Sequence, residues 1–159
     1  MAIRAVTPED RLRELGLALP TLSAPRGNYV RARRHGSELW LAGHGPAPDD
    51  QGRRPSGKVG ANLTVDEGYG AARMAGLALL ATMAAELGEL SRVTAVLRVF
   101  GMVNCAPGFV ATPNVIDGCS DLLLAAFGDD VGRHVRSAIG VAELPFDLPV
   151  EIEAVVAIA

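Results

Sequence analysis

The chain has 159 residues, a length that fits one domain, and 49% of them are apolar, enough for a core without disulfide or metal staples. A formal net charge of -3 removes the general electrostatic case for nucleic acid or an anionic membrane as partner. Only 4% of residues are aromatic, so the core must be built of Ala, Val and Leu. These small side chains bury little area each and favour further burial against a partner subunit.

Two cysteines, Cys105 and Cys119, form no CxxC and no Cys/His cluster with zinc-type spacing, and are expected as reduced thiols of a cytoplasmic protein. Arg4, Glu9, Asp10 and Arg11 interrupt any apolar run near the N-terminus, so no signal peptide is expected there. The longest apolar helical run, residues 75–85, falls short of the ~20 residues of a membrane span.

Thr7-Pro8-Glu9-Asp10 opens a short amphipathic helix: a capping hydroxyl, Pro at the first helical position, acids in the positive first turn. Leu12, Leu15 and Leu17 give its apolar side, and it ends near Gly16 and Pro20. Residues 29–34 and 39–42 read as two strands of a hairpin turned at His35-Gly36-Ser37. Residues 43–60, rich in Gly, Pro, Asp and Arg, read as loop with one short strand at most. Thr64-Val65-Asp66-Glu67 fits a capping box, and the helix it opens runs to Leu87 and stops at Gly88. Its apolar residues cover most of the circumference, which predicts burial on more than one side. Residues 92–103 read as a strand and 104–111 as a loop around Pro107-Gly108. Thr112-Pro113 repeats the Thr-Pro helix opening, with a second long helix to Phe127 and a turn over 128–133. Residues 135–143 and 150–158 are the last strands, linked through Leu144-Pro145-Phe146-Asp147-Leu148-Pro149. The order predicts one α+β domain with both long helices on one face of a mixed sheet.

The chain has no GxSxG elbow, Walker A loop or HExxH. Gly43-His44-Gly45-Pro46 is a Gly-rich turn with no helix directly after it, weak as a phosphate signal. Of the three histidines, His35 is expected in solvent, while His44 and His134 stand near a turn and a strand start. Arg31, Arg33, Arg34, Arg53, Arg54 and Lys58 concentrate positive charge in the first third, read chiefly as a solvated face because few stacking aromatics accompany them. The strongest local signal lies in the last quarter. Arg136 opens a strand of small residues, where its fork either snorkels outward or meets a bidentate anion. Glu151 and Glu153 alternate with Val150, Ile152 and Ala154 and so share one strand face.

Arg136-Ser137-Ala138-Ile139-Gly140-Val141-Ala142-Glu143-Leu144-Pro145 followed by Val150-Glu151-Ile152-Glu153-Ala154 closely resembles the signature of the Rid family, also called YjgF-type or L-PSP endoribonuclease. Gly27-Asn28-Tyr29 resembles that family's Gly-x-Tyr entry to the first strand, and Leu41-Ala42-Gly43-His44-Gly45-Pro46 its Ser-Gly-Gln turn. The resemblance implies a chorismate-mutase-like fold, a homotrimer, and pockets between subunits that hydrolyse enamines and imines to 2-keto acids and ammonia. Carried onto this chain, it implies that Arg136 clamps a substrate carboxylate with help from the Gly43 backbone. Glu151 would orient the attacking water, and Tyr29 and His44 would line the pocket. No metal or organic cofactor is implied, and a small carboxylate metabolite is the expected partner. Departures from the archetype are Ala138 in place of a pocket Cys, His44 in place of Gln, a longer loop over residues 104–113, and an N-terminal helical extension over residues 1–23. A non-catalytic carboxylate binder is the alternative function, with endoribonuclease third.

Overall fold

The computed structural model describes residues 5–159, so the first four residues of the N-terminal extension lie outside the described ones. The elements are α1 (Pro8–Glu14), β1 (Ala32–His35), β2 (Glu38–His44), α2 (Val65–Leu87), β3 (Val93–Asn104), α3 (Thr112–Gly132), β4 (Val135–Val141) and β5 (Val150–Ile158). The strands form one sheet in the order β1-β2-β5-β3-β4. All pairs are antiparallel except β3 with β4, which α3 joins as a crossover.

Helix α2 starts and stops where its sequence dictates. Thr64 and Glu67 cap each other's backbone, and Gly88 ends the helix with φ 85°. Its 23 residues make it longer than the apolar run within it, and by length and composition it is able to cross a bilayer. It instead serves as a core helix. Ala71, Ala72, Ala75, Leu79 and Met83 are fully or almost fully buried, together with Ile116, Leu122 and Leu123 of α3 and Leu39, Val99, Ile152 and Val156 of the sheet. The two long helices approach closely because small residues face each other. A Cβ at Gly118 would fall 2.0 Å from the Tyr69 carbonyl oxygen, so any side chain there would separate the helices.

Several boundaries differ from the sequence reading. β1 begins at Ala32, leaving Tyr29 and Val30 exposed in irregular backbone. β2 continues to His44, because beyond Leu41 it still pairs with β5 after β1 has ended. Helix α3 is capped by Ala111 rather than Thr112; the Thr112 hydroxyl instead donates to the Ala138 carbonyl (3.0 Å), fastening the helix start to β4. Past Phe127 the chain breaks at Gly128 (φ 78°) and resumes helical turns to Gly132, where a plain turn was expected. The possible strand in residues 43–60 amounts to single bridges from Val59 to Leu63 and Cys105. α1 docks on α3 through buried Leu12 and through Arg11, which donates to the Ala126 carbonyl, while Glu9 accepts from the Leu90 N–H at 2.6 Å. Both cysteines are free, and burial pushes the Cys119 thiol up to about 12.

Both long helices cover one face of the sheet. Arg33, Trp40, Val155, Arg98 and Val135 lie in one register row on the other face, with Phe100, Glu153 and Ser137, then Met102, Glu151 and Ile139, in the rows beside it. No element of the described chain covers this face: Trp40 is 52% exposed, Val135 70% and Ile139 42%.

Candidate functional site

At one end of the open face, β2 carries a bulge. Leu41 pairs with Ala154 and His44 with Ile152, so Ala42 and Gly43 together oppose Glu153. Bulges re-aim side chains and break the ladder locally. Here the bulge brings Gly43 beneath Glu151: a Cβ on Gly43 would sit 2.4 Å from Glu151 Oε1. Only glycine lets the carboxylate lie there. Val150 and Ile152, on the opposite face of β5, are wholly buried and anchor the strand.

Glu151 makes no hydrogen bond or ion pair among the described residues. Burial raises its pKa above the usual 4.5, and the neighbouring Glu153 charge adds to that. Glu153 is itself paired with Arg98 at 3.5 Å. Glu151 is thus a half-buried carboxylate with free oxygens and a proton affinity above normal.

Glu151 lines a cleft of about 290 Å³ together with Tyr29, Gly43 and His44. Three of the expected binding residues therefore meet one carboxylate. Tyr29 is half exposed and stands at the mouth, with its ring about 3.1 Å from where a Cβ on Gly27 would be. His44 is 3% exposed and directs both nitrogens inward. Its Nδ1–H donates to the Ala42 carbonyl (2.6 Å), so Nε2 accepts from the Thr82 hydroxyl (2.7 Å). Burial lowers its pKa; the hydrogen bond to Ala42 opposes this and the Arg31 charge adds to it. His44 is therefore a neutral imidazole that fixes the bulge to α2.

Arg136 lies elsewhere in the same chain. β4 is the edge strand, and β3 stands between it and β5, which carries Glu151, about 10 Å across the sheet. Its guanidinium contacts Asp117 at 2.8 Å, the Ser120 hydroxyl at 3.0 Å and the Pro113 carbonyl at 3.3 Å. Ser120 in turn donates to His134 Nε2 (2.9 Å), whose Nδ1–H is held by the Gly132 carbonyl (2.7 Å). Four groups thus fix Arg136 directly or through Ser120. Arg136 is therefore not part of the cleft that Glu151 lines. His35, at the end of β1, is exposed.

Sequence reading missed part of the cleft. Arg26, Arg31 and Arg54 line it, as does Phe146 from the loop before β5. The basic stretch read as one solvated face is in fact divided. Arg53 pairs with Asp49 (3.0 Å) and Lys58 with Glu143 (3.2 Å), while Arg31 and Arg54 turn into the cleft. The loop between β4 and β5, with its aromatic between two prolines, was the available signal.

The family model described as "YjgF/chorismate mutase-like, putative endoribonuclease" matches residues 9–150. Protein TCP17 of Trypanosoma cruzi is 44% identical over 145 residues, 91% of this chain and 90% of its own length. Among solved structures, the chain is similar to a protein described as a putative endoribonuclease from Shewanella oneidensis. That structure is 37% identical with TM-score 0.90, and the match covers 96% of this chain and 99% of that one. It is equally similar in sequence (37%) to Atu1372 of Agrobacterium tumefaciens, a protein of unknown function. There the TM-score is 0.85, and 96% of this chain and 92% of that one are covered.

Proposed function

The chain belongs to the YjgF/chorismate mutase-like family, and from that premise we propose that its Glu151 cleft hydrolyses a small enamine or imine bearing a carboxylate. The observation that carries this reading is Glu151 itself: half-buried, unpaired, raised in pKa and set over a glycine. Such a carboxylate is suited to accept a proton from water near neutral pH.

In the proposed reaction, Glu151 takes a proton from water as the water oxygen bonds to the imine carbon and the C=N π electrons move to nitrogen. Glu151 returns that proton to the nitrogen, giving the carbinolamine. The Glu151 carboxylate then relays the carbinol O–H proton to the amine as the C–N bond breaks, so ammonia leaves, the 2-keto acid remains, and Glu151 ends as it began. The imine carbon is already electrophilic, so orientation of one water and one carboxylate contributes much of the rate.

The carboxylate clamp is Arg136 of a second copy. Asp117, Ser120 and Pro113 hold its guanidinium, and it stands on an edge strand where another subunit has access. Trp40, Val135 and Ile139 on the uncovered sheet face favour the homotrimeric assembly in which that contact would form. A net charge of -3 weighs against an RNA substrate, whose affinity rests on phosphate contacts. The test is keto-acid release when the purified protein is added to a dehydratase that generates 2-aminoacrylate. Acceleration by wild type and its loss in Glu151→Gln support the reading. Binding of a 2-keto acid without any turnover would leave a carboxylate-binding protein instead.

A further inference from the structure

The Glu151 cleft carries a charge imbalance opposite in sign to the whole chain. Its charged lining is Arg26, Arg31 and Arg54 against the single carboxylate of Glu151. None of the three arginines is ion-paired among the described residues, whereas Arg13, Arg53, Arg98, Arg133 and Arg136 all are. Arg31 donates to the Ser23 carbonyl and so holds the segment that forms one wall. Arg26 and Arg54 converge on one aromatic ring: their guanidinium carbons lie 4.8 Å and 5.9 Å from the centroid of Phe146. Two like charges gathered on one ring, with no anion between them, are mutually unfavourable until an anion joins them.

The ring is held there against a backbone penalty. Phe146 and the next residue, Asp147, have φ 58° and 54°, two consecutive non-glycine residues in the left-handed region. Each costs about 1 kcal/mol or more and persists only where surrounding contacts enforce it. The enforcing contacts are present. The Asp147 carbonyl accepts from the Gly57 N–H (2.8 Å), and its carboxylate accepts from Asn104 Nδ2 (3.2 Å). Asn104 is wholly buried and also bonds the Gly57 carbonyl (3.3 Å) and Lys58 Nζ (2.7 Å). The result is a ring 63% exposed at the cleft mouth with its guanidinium partners in place.

We infer that Arg26 and Arg54, backed by Phe146 and supplemented by the charge of Arg31, form a second oxyanion-binding corner, so that the cleft's substrate is a dianion. The inference rests on the proposed carboxylate chemistry and names its substrate class: a 2-imino acid whose side chain ends in a second oxyanion group, carboxylate or phosphate. A planar guanidinium offers two parallel donors to either group, and stacking on the ring pre-orients it.

The test is calorimetry with 2-oxoglutarate, its monoanionic counterpart 2-oxohexanoate, and phosphonopyruvate. Wild type should bind a dianion at least tenfold more tightly than 2-oxohexanoate, and whichever dianion binds better identifies the second group. In Arg26→Gln/Arg54→Gln that ratio should fall to about one, and Phe146→Leu should reduce it severalfold. Arg136→Lys should weaken mono- and dianion alike, leaving the ratio in place. Equal wild-type affinity for mono- and dianions, with both still sensitive to Arg136→Lys, would overturn the second corner while sparing the carboxylate site. No binding of any 2-keto acid would overturn both. Circular dichroism of each variant separates loss of the corner from loss of the fold.

Discussion

Replacing Gly43 with Ala isolates what the bulge does for Glu151. Gly43 does not occupy the left-handed region, so alanine accepts its backbone, and the stability change should stay within about 1 kcal/mol. The new methyl would lie 2.4 Å from Glu151 Oε1, 2.8 Å from Cδ and 2.9 Å from Cγ, against ordinary contacts of about 3.5 Å. The carboxylate must therefore retreat by about 1 Å, a displacement able to cost about 10²-fold in rate when it moves a group out of its reacting geometry. Turnover of 2-aminoacrylate by Gly43→Ala should fall by that order while its thermal midpoint stays close to wild type. Because the loss acts through Glu151, Gly43→Ala/Glu151→Gln should be little worse than Glu151→Gln alone. A Gly43→Ala protein within twofold of wild type, or additive losses in the double variant, would refute this account of the bulge.

Arg136→Lys keeps the charge but not the paired donors, so 2-keto acid affinity measured by calorimetry should fall at least about tenfold with the fold retained. Glu151 has a raised folded-state pKa, so its ionised form is disfavoured by folding. Glu151→Gln should therefore melt higher than wild type near neutral pH, with the difference fading as pH falls through that raised pKa and below the usual 4.5. His44 has a lowered folded-state pKa, so its contribution to stability is present above pH 6.5 and lost as pH falls through that value. His44→Gln should flatten that part of the melting profile. Light scattering at micromolar concentration should show an oligomer, most simply a trimer. A stable folded monomer would remove the route by which Arg136 reaches Glu151.

Helix α2 and strand β5 were legible to the residue because their signals are local: a reciprocal cap with a stopping glycine, and strict two-residue alternation. The strands and caps that were misplaced depend on tertiary partners. Tyr29 and Val30 have strand-forming side chains but no neighbour to pair with, and Thr112 bonds a carbonyl on β4 in preference to its own helix. Glu151, Gly43, His44 and Tyr29 were singled out through a motif, and the fold brings them to one cleft. That Arg136 stands two strands from Glu151, with β3 between them, was not legible, because a linear motif carries no sheet order. The Arg26–Arg54–Phe146 cluster was hidden for a related reason. It joins three loops far apart in sequence, one of them held in a conformation that Phe and Asp rarely adopt.

The proposed role of Glu151 as the base toward water is tested most directly by single-turnover release of 2-keto acid from an enzymatically generated imine. Glu151→Gln should bind a 2-keto acid within about twofold of wild type but release product at least tenfold more slowly. Equal rates for the two proteins would contradict it.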